Sequence, residues 1–195
     1  MIQTLANHVA GFVVRNDETA NYEILAYGLS LLISAAVSYT IVFASALVFG
    51  VIGEMLVAVA LYLSMRLTIG GSHANSRIVC NVMYMGTLYL CIILSFVIIP
   101  NIYIVAALYI VNLILLFLYA PSDTIHQPIV SGRFARKILG IFLLSFFFAL
   151  SLFILMYVEA QVSANLLILV PTLTCVLLHP FIYHIFGCEK SVERR

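Results

Sequence analysis

At 64% apolar and 9% charged residues, a chain of 195 amino acids lies far outside the composition of a soluble globular domain. Its formal charge of +1 leaves no basic surplus for a nucleic-acid surface. What remains is an all-α polytopic protein of the lipid bilayer. Its apolar runs count as spans, because a hydrocarbon core about 30 Å thick takes roughly 20 residues of helix.

The first 23 residues lack the basic start and short apolar core of a signal peptide. Ile2, Leu5, Val9, Phe12 and Val13 recur at helical spacing, with Gln3, Thr4, Asn7 and His8 between them. That pattern predicts an interfacial amphipathic helix within residues 1–23, which either docks an amphipathic partner or simply anchors the first span. From Ile24 to Met65 the only charge is Glu54, and the run is about twice what one crossing needs. It divides into spans over 24–47 and 49–65, with the reversal near Gly50 and Gly53, where glycine permits a tight turn. A third span covers 78–98 and stops at Pro100-Asn101, since proline cannot continue the helix. The fourth covers 102–119 and the fifth 138–158. After the polar Glu159-Ala160-Gln161, a sixth covers 166–186, which Pro171 and Pro180 are expected to kink. No internal repeat or linker interrupts the chain, so a single membrane domain over 1–195 is expected.

On six spans, the nine Lys and Arg residues sort to one side. Arg15 precedes the first span, Arg66 and Arg77 lie between the second and third, and Arg133, Arg136 and Lys137 between the fourth and fifth. Lys190, Arg194 and Arg195 follow the sixth. The positive-inside rule makes this side cytoplasmic, with both termini inside.

Of the four cysteines, Cys91 and Cys175 fall mid-span, where a thiol behaves as a small apolar group. Cys188 falls in a cytoplasmic tail, a reducing compartment, so no disulfide is expected. Cys80 differs, because it sits near the membrane boundary in the stretch Arg66 to Cys80, RLTIGGSHANSRIVC, with His73 beside it. An imidazole and a thiol together can activate a nucleophile for attack on a carbonyl. Two ligands are too few for zinc, neither HExxH nor CxxC occurs, and His179 and His184 are five apart rather than on one helical face. No metal or cofactor is therefore expected. In an unbroken helix His73 and Cys80 would lie about 10.5 Å apart along the axis, too far for a hydrogen bond. The helix is thus predicted to begin after His73, with Asn75 or Ser76 as N-cap, while Gly70-Gly71 lets the preceding loop curl back. Cys80 then sits in the opening turn, where the positive end of the helix dipole, Arg77 and an imidazolium favour thiolate.

The segment from Arg66 to Cys80 resembles the signature of the AgrB family, the accessory gene regulator B membrane peptidases of Gram-positive quorum sensing. An arginine precedes Gly-Gly-x-His-Ala and a cysteine follows seven residues after the histidine, here Arg66, Gly70, Gly71, His73, Ala74 and Cys80. Tyr27-Gly28, after the acidic Asp17, Glu18 and Glu23, is similar to the family's early Tyr-Gly pair. Tyr119-Ala120-Pro121-Ser122-Asp123, with Pro128 beyond, is similar to its Tyr-Ala-Pro loop. One departure stands out: where members often carry several lysines, this chain reads Ile125-His126-Gln127, with positive charge displaced to Arg133, Arg136 and Lys137.

The resemblance implies a cysteine endopeptidase of the bacterial cell membrane, a homodimer with its site on the cytoplasmic side. It would cleave an AgrD-like propeptide through a Cys80 thioester and support closure of a thiolactone or lactone ring for quorum sensing. His73 would be the base. Arg66 would hold the substrate's acidic tail or stabilise an oxyanion, or else serve as an interfacial anchor. Gly70 and Gly71 would shape the loop, their amides also being candidate oxyanion donors. Asp123 would orient His73, or equally cap its own loop. Glu54 is a candidate as a carboxylate within a span, although its place near a span end lets it reach water. The rival from another class is a small transporter or channel for a peptide or ion, marked by buried charges and broken helices.

Overall fold

Long runs of Leu, Ile, Val, Phe and Ala can satisfy their own backbone groups in lipid only as helix. In a computed structural model of this chain, which describes residues 2–16, 21–71, 77–122 and 132–185, eight helices form. They are α1 (Ile2–Asn16), α2 (Tyr22–Val48), α3 (Ile52–Ile69), α4 (Arg77–Val97), α5 (Ile102–Tyr119), α6 (Arg133–Tyr157), α7 (Gln161–Val176) and α8 (Pro180–Ile185). Five of these, α2 to α6, are long and apolar enough to cross a membrane. The helices fall into two compact units, residues 1–52 and 53–195.

The first unit is a pair, α1 packed on α2. Asn21 starts α2 by accepting hydrogen bonds from the amides of Glu23 and Ile24 at 3.0 and 3.3 Å, which satisfies donors that a helix start leaves orphaned. The residues of α1 that become buried are the small Ala6 and Ala10. Leu5, Val9 and Phe12 stay exposed, an apolar stripe suited to lipid rather than to water. Gly50, at φ +69, makes the turn that ends α2, whereas Gly53 lies inside the first turn of α3.

In the second unit α7 is central, packing on α4, α5 and α6. Its buried residues run from Ala164 to Cys175 around nearly the whole circumference, as expected of a helix enclosed by others. Here the structure corrects the expected final span over 166–186. That stretch is not one kinked helix: α7 ends at Val176, a turn follows, and Pro180 opens α8. The reason is local. Proline lacks the amide that would continue the ladder but suits the first position of a new helix, and His179 Nδ1 accepts the Phe181 amide at 3.2 Å. At 16 residues α7 is about 24 Å long, short of a bilayer core.

Polar side chains lock the two ends of this bundle. At one end the last carbonyls of α4, which the helix itself cannot satisfy, accept from the start of α7. Asn165 Nδ2 donates to the carbonyls of Ser95 and Ile98, each at 2.8 Å, and Gln161 Nε2 donates to Ile98 at 2.9 Å. At the opposite end α3 and α5 finish side by side and α6 begins. There Gly140 of α6 is so close to Ile69 that an added β-carbon would lie 2.4 Å from Ile69 Cγ2. Lys137 donates to the carbonyl of Phe117, in the last turn of α5, and sits 4.2 Å from the centre of its ring. A cation there complements the negative end of the helix. Glu54, by contrast, occupies the first turn of α3, the favourable end for a carboxylate.

A candidate active site where two loops meet

The end of the bundle that carries Arg66 is built from segments distant in sequence. Arg66 lies in the last turn of α3 and is half-buried, its positive charge at the helix end that favours it. The chain then leaves helical geometry through Gly70 at φ +74 and Gly71 at φ +134. Arg66 Nη1 reaches the Gly70 carbonyl in a long hydrogen bond of 3.4 Å. In doing so the guanidinium lies across Gly71, where a β-carbon would come within 2.1 Å of Nη1. Only glycine admits both the backbone angle and this approach.

Facing this turn is the Tyr-Ala-Pro-Ser segment that ends α5, with a cis bond between Ala120 and Pro121. Ser122 pairs with the Gly-Gly turn as a one-residue parallel bridge to Gly70. Its amide donates to the Ile69 carbonyl and its carbonyl accepts from the Gly71 amide, both at 2.9 Å. The Ser122 hydroxyl is in turn 2.8 Å from the hydroxyl of Tyr183 on α8, and both residues are buried. The edge of one ring meets the face of the other where Tyr119 and His179 pack, centroids 5.2 Å apart. Thus two motifs that looked independent in the sequence form one hydrogen-bonded platform, with the last helices as its backing.

These bonds revise one expectation. The Gly70 amide donates to the Arg66 carbonyl at 3.0 Å, and the Gly71 amide to Ser122. Both are committed within the fold, so neither is available as an oxyanion donor while the platform is intact. Cys80 is a free thiol, half-buried, in the opening turn of α4. Its helix is described from Arg77 onward, and the predicted helix start after His73 falls on residues outside those described. His73, Asn75, Ser76 and Asp123 lie outside the described residues, as does Cys188. Gly71 is two positions before His73, and Ser122 directly precedes Asp123. Tyr27 and Gly28 lie on α2, in the first unit. Among the described residues no three His, Cys, Asp or Glu side chains come together.

Ser122 and Tyr183 carried no assigned role in the sequence. Ser122 was visible as part of its motif, but Tyr183 gave no signal, because its partner lies 61 positions away.

The fold and this platform define an all-helical, multi-pass membrane protein in which the Arg, Gly-Gly and Tyr-Ala-Pro elements meet at one end of the bundle. The chain belongs to the AgrB family, accessory gene regulator B, which matches it over residues 6–179. It is also similar to an AgrB-like protein of Clostridium acetobutylicum, 37% identical over 90 residues. That match covers 46% of this chain and 43% of the relative's length. No solved structure matches.

Proposed function

We infer that this chain is a membrane cysteine endopeptidase acting on an AgrD-like propeptide, with Cys80 as nucleophile and His73 as base. The observation that carries it is the platform itself. It fixes the backbone two residues before His73, and Cys80 lies in the first described turn of α4.

In this mechanism His73 takes the Cys80 proton, and Sγ attacks the scissile carbonyl. The carbon–nitrogen bond breaks, the leaving amine receives the proton from His73, and the N-terminal part of the peptide remains as a thioester on Cys80. A thiol or hydroxyl within that peptide, deprotonated by His73, then attacks the thioester. This closes a thiolactone or lactone ring and returns the proton to Cys80. Because one acyl bond replaces a similar one, ring closure from the thioester needs no ATP. With the Gly70 and Gly71 amides committed, the oxyanion falls to Arg66. Asp123 is assigned as the residue that orients His73.

The remaining elements of this proposal are six crossings, a cytoplasmic site and a homodimer. The stretch from Asn165 to Tyr183 links the two ends of the second unit, which supports a sixth crossing by α7 and α8 together. Arg66, Arg77, Arg133, Arg136 and Lys137 all lie near the helix ends at the platform side, which supports its facing the cytoplasm. A carrier without covalent chemistry has weaker support, since Glu54 is at a helix end rather than deep in a span.

The test is cleavage of a synthetic propeptide in proteoliposomes. Wild-type protein is expected to release the C-terminal tail and to yield a peptide adduct on Cys80 that hydroxylamine removes. Cys80→Ala and His73→Ala are expected to abolish both, and cleavage persisting in Cys80→Ala would sink the proposal.

A further inference from the structure

We propose that Tyr183 of α8 is a positioning residue for the Gly70-Gly71 turn, acting through the hydroxyl and backbone of Ser122. The role of this turn in catalysis rests on the peptidase function proposed above, but the mechanical link does not.

The chain of contacts is short and continuous. The Tyr183 and Ser122 hydroxyls are 2.8 Å apart, in residues only 3% and 4% exposed, so neither hydroxyl can readily exchange its partner for bulk water. Ser122 spans the turn on both sides, its amide on Ile69 and its carbonyl on the Gly71 amide. Rotation of the Ser122 segment therefore moves Gly71, and with it the backbone that enters His73 two residues later. Tyr183 itself is fixed by position, since α8 starts at Pro180 and the preceding His179 both receives the Phe181 amide and packs on Tyr119. Tyr119 is the last residue of α5, three before Ser122. Two contacts thus tie the short final helix to the loop after α5, one through the Tyr183 hydroxyl and one through the His179 ring.

This arrangement gives α8 a purpose besides completing a crossing with α7. A helix of six residues adds about 9 Å, but here it braces the segment on which the geometry of His73 and Cys80 depends. Displacement of a reacting group by about 1 Å can lower a rate on the order of 100-fold. Loss of a single brace, with the bridge to Gly70 still in place, is expected to fall below that, at roughly tenfold in kcat.

The decisive measurement is amide hydrogen exchange on full-length protein in nanodiscs, read by mass spectrometry for peptides containing residues 69–71 and 119–122. Tyr183→Phe and Ser122→Ala are each expected to speed exchange in both peptides about tenfold, with the α4 to α7 contact around Asn165 unchanged. Ser122→Thr, which keeps a hydroxyl, is expected to restore slow exchange. In turnover assays Tyr183→Phe should lower kcat roughly tenfold and leave KM within about twofold, and the double variant should be no worse than Ser122→Ala alone. Unchanged exchange in Tyr183→Phe would overturn the proposal, as would multiplicative losses in the double variant. If wild-type protein cleaved nothing while exchange responded as stated, the peptidase function would fail and the link from Tyr183 to the turn would stand.

Discussion

Gly71→Ala is the sharpest test of the platform. The added methyl would lie 2.1 Å from Arg66 Nη1 and 3.1 Å from its Cζ, where relaxed contacts need about 3.5–4.0 Å. The guanidinium must therefore move by more than about 1 Å, off the Gly70 carbonyl it reaches at 3.4 Å. Holding a residue with a β-carbon at φ +134 adds strain of roughly 1–3 kcal/mol. Loss of the Arg66 hydrogen bond, long and half-exposed, adds about 1 kcal/mol at most. Together they disfavour the native turn by roughly 1–4 kcal/mol, a factor of about 5 to 900. Propeptide cleavage, measured as kcat/KM in proteoliposomes, should fall in that range while helix content by circular dichroism is unchanged. Gly86→Ala on α4 is the control, because its methyl meets nothing within 4 Å. There the exchange should be neutral or stabilising by up to about 1 kcal/mol. Activity of Gly71→Ala within threefold of wild type would refute the close approach of Arg66. A double-mutant cycle with Arg66→Ala should show coupling, since removing the guanidinium relieves the clash but not the strain.

Asn165→Leu leaves the Ser95 carbonyl without its side-chain donor and Ile98 with Gln161 alone, and denaturant titration in detergent should show a loss of about 2 kcal/mol. Gly140→Ala should lower stability by roughly 1–3 kcal/mol through its clash with Ile69, with partial recovery in combination with Ile69→Ala. Asn112 donates to Thr172 Oγ1 at 2.8 Å while its own Oδ1 is buried without a partner. Thr172 also donates to the Ile168 carbonyl, so Asn112→Leu strands nothing and should be neutral or stabilising in the same titration. Maleimide should label Cys80 in folded protein and spare Cys91 and Cys175, which are fully buried; equal labelling of all three would contradict the packing.

Hydropathy determined the helical class and the approximate positions of α2 to α6, because each depends on contiguous residues and on the fixed thickness of a bilayer. Local chemistry likewise marked the turn at Gly50 and the stop near Pro100. Tertiary structure decided what depends on partners remote in the chain. It buried α7 among three helices, so that a segment too short to cross alone became the core, and it split the expected last span at Pro180. It also joined Gly70-Gly71 to Ser122 and Ser122 to Tyr183, which committed the glycine amides that sequence had offered to an oxyanion. A hydrogen bond between residues 61 positions apart leaves no periodicity and no spacing to read. Only the packed helices bring its two hydroxyls together.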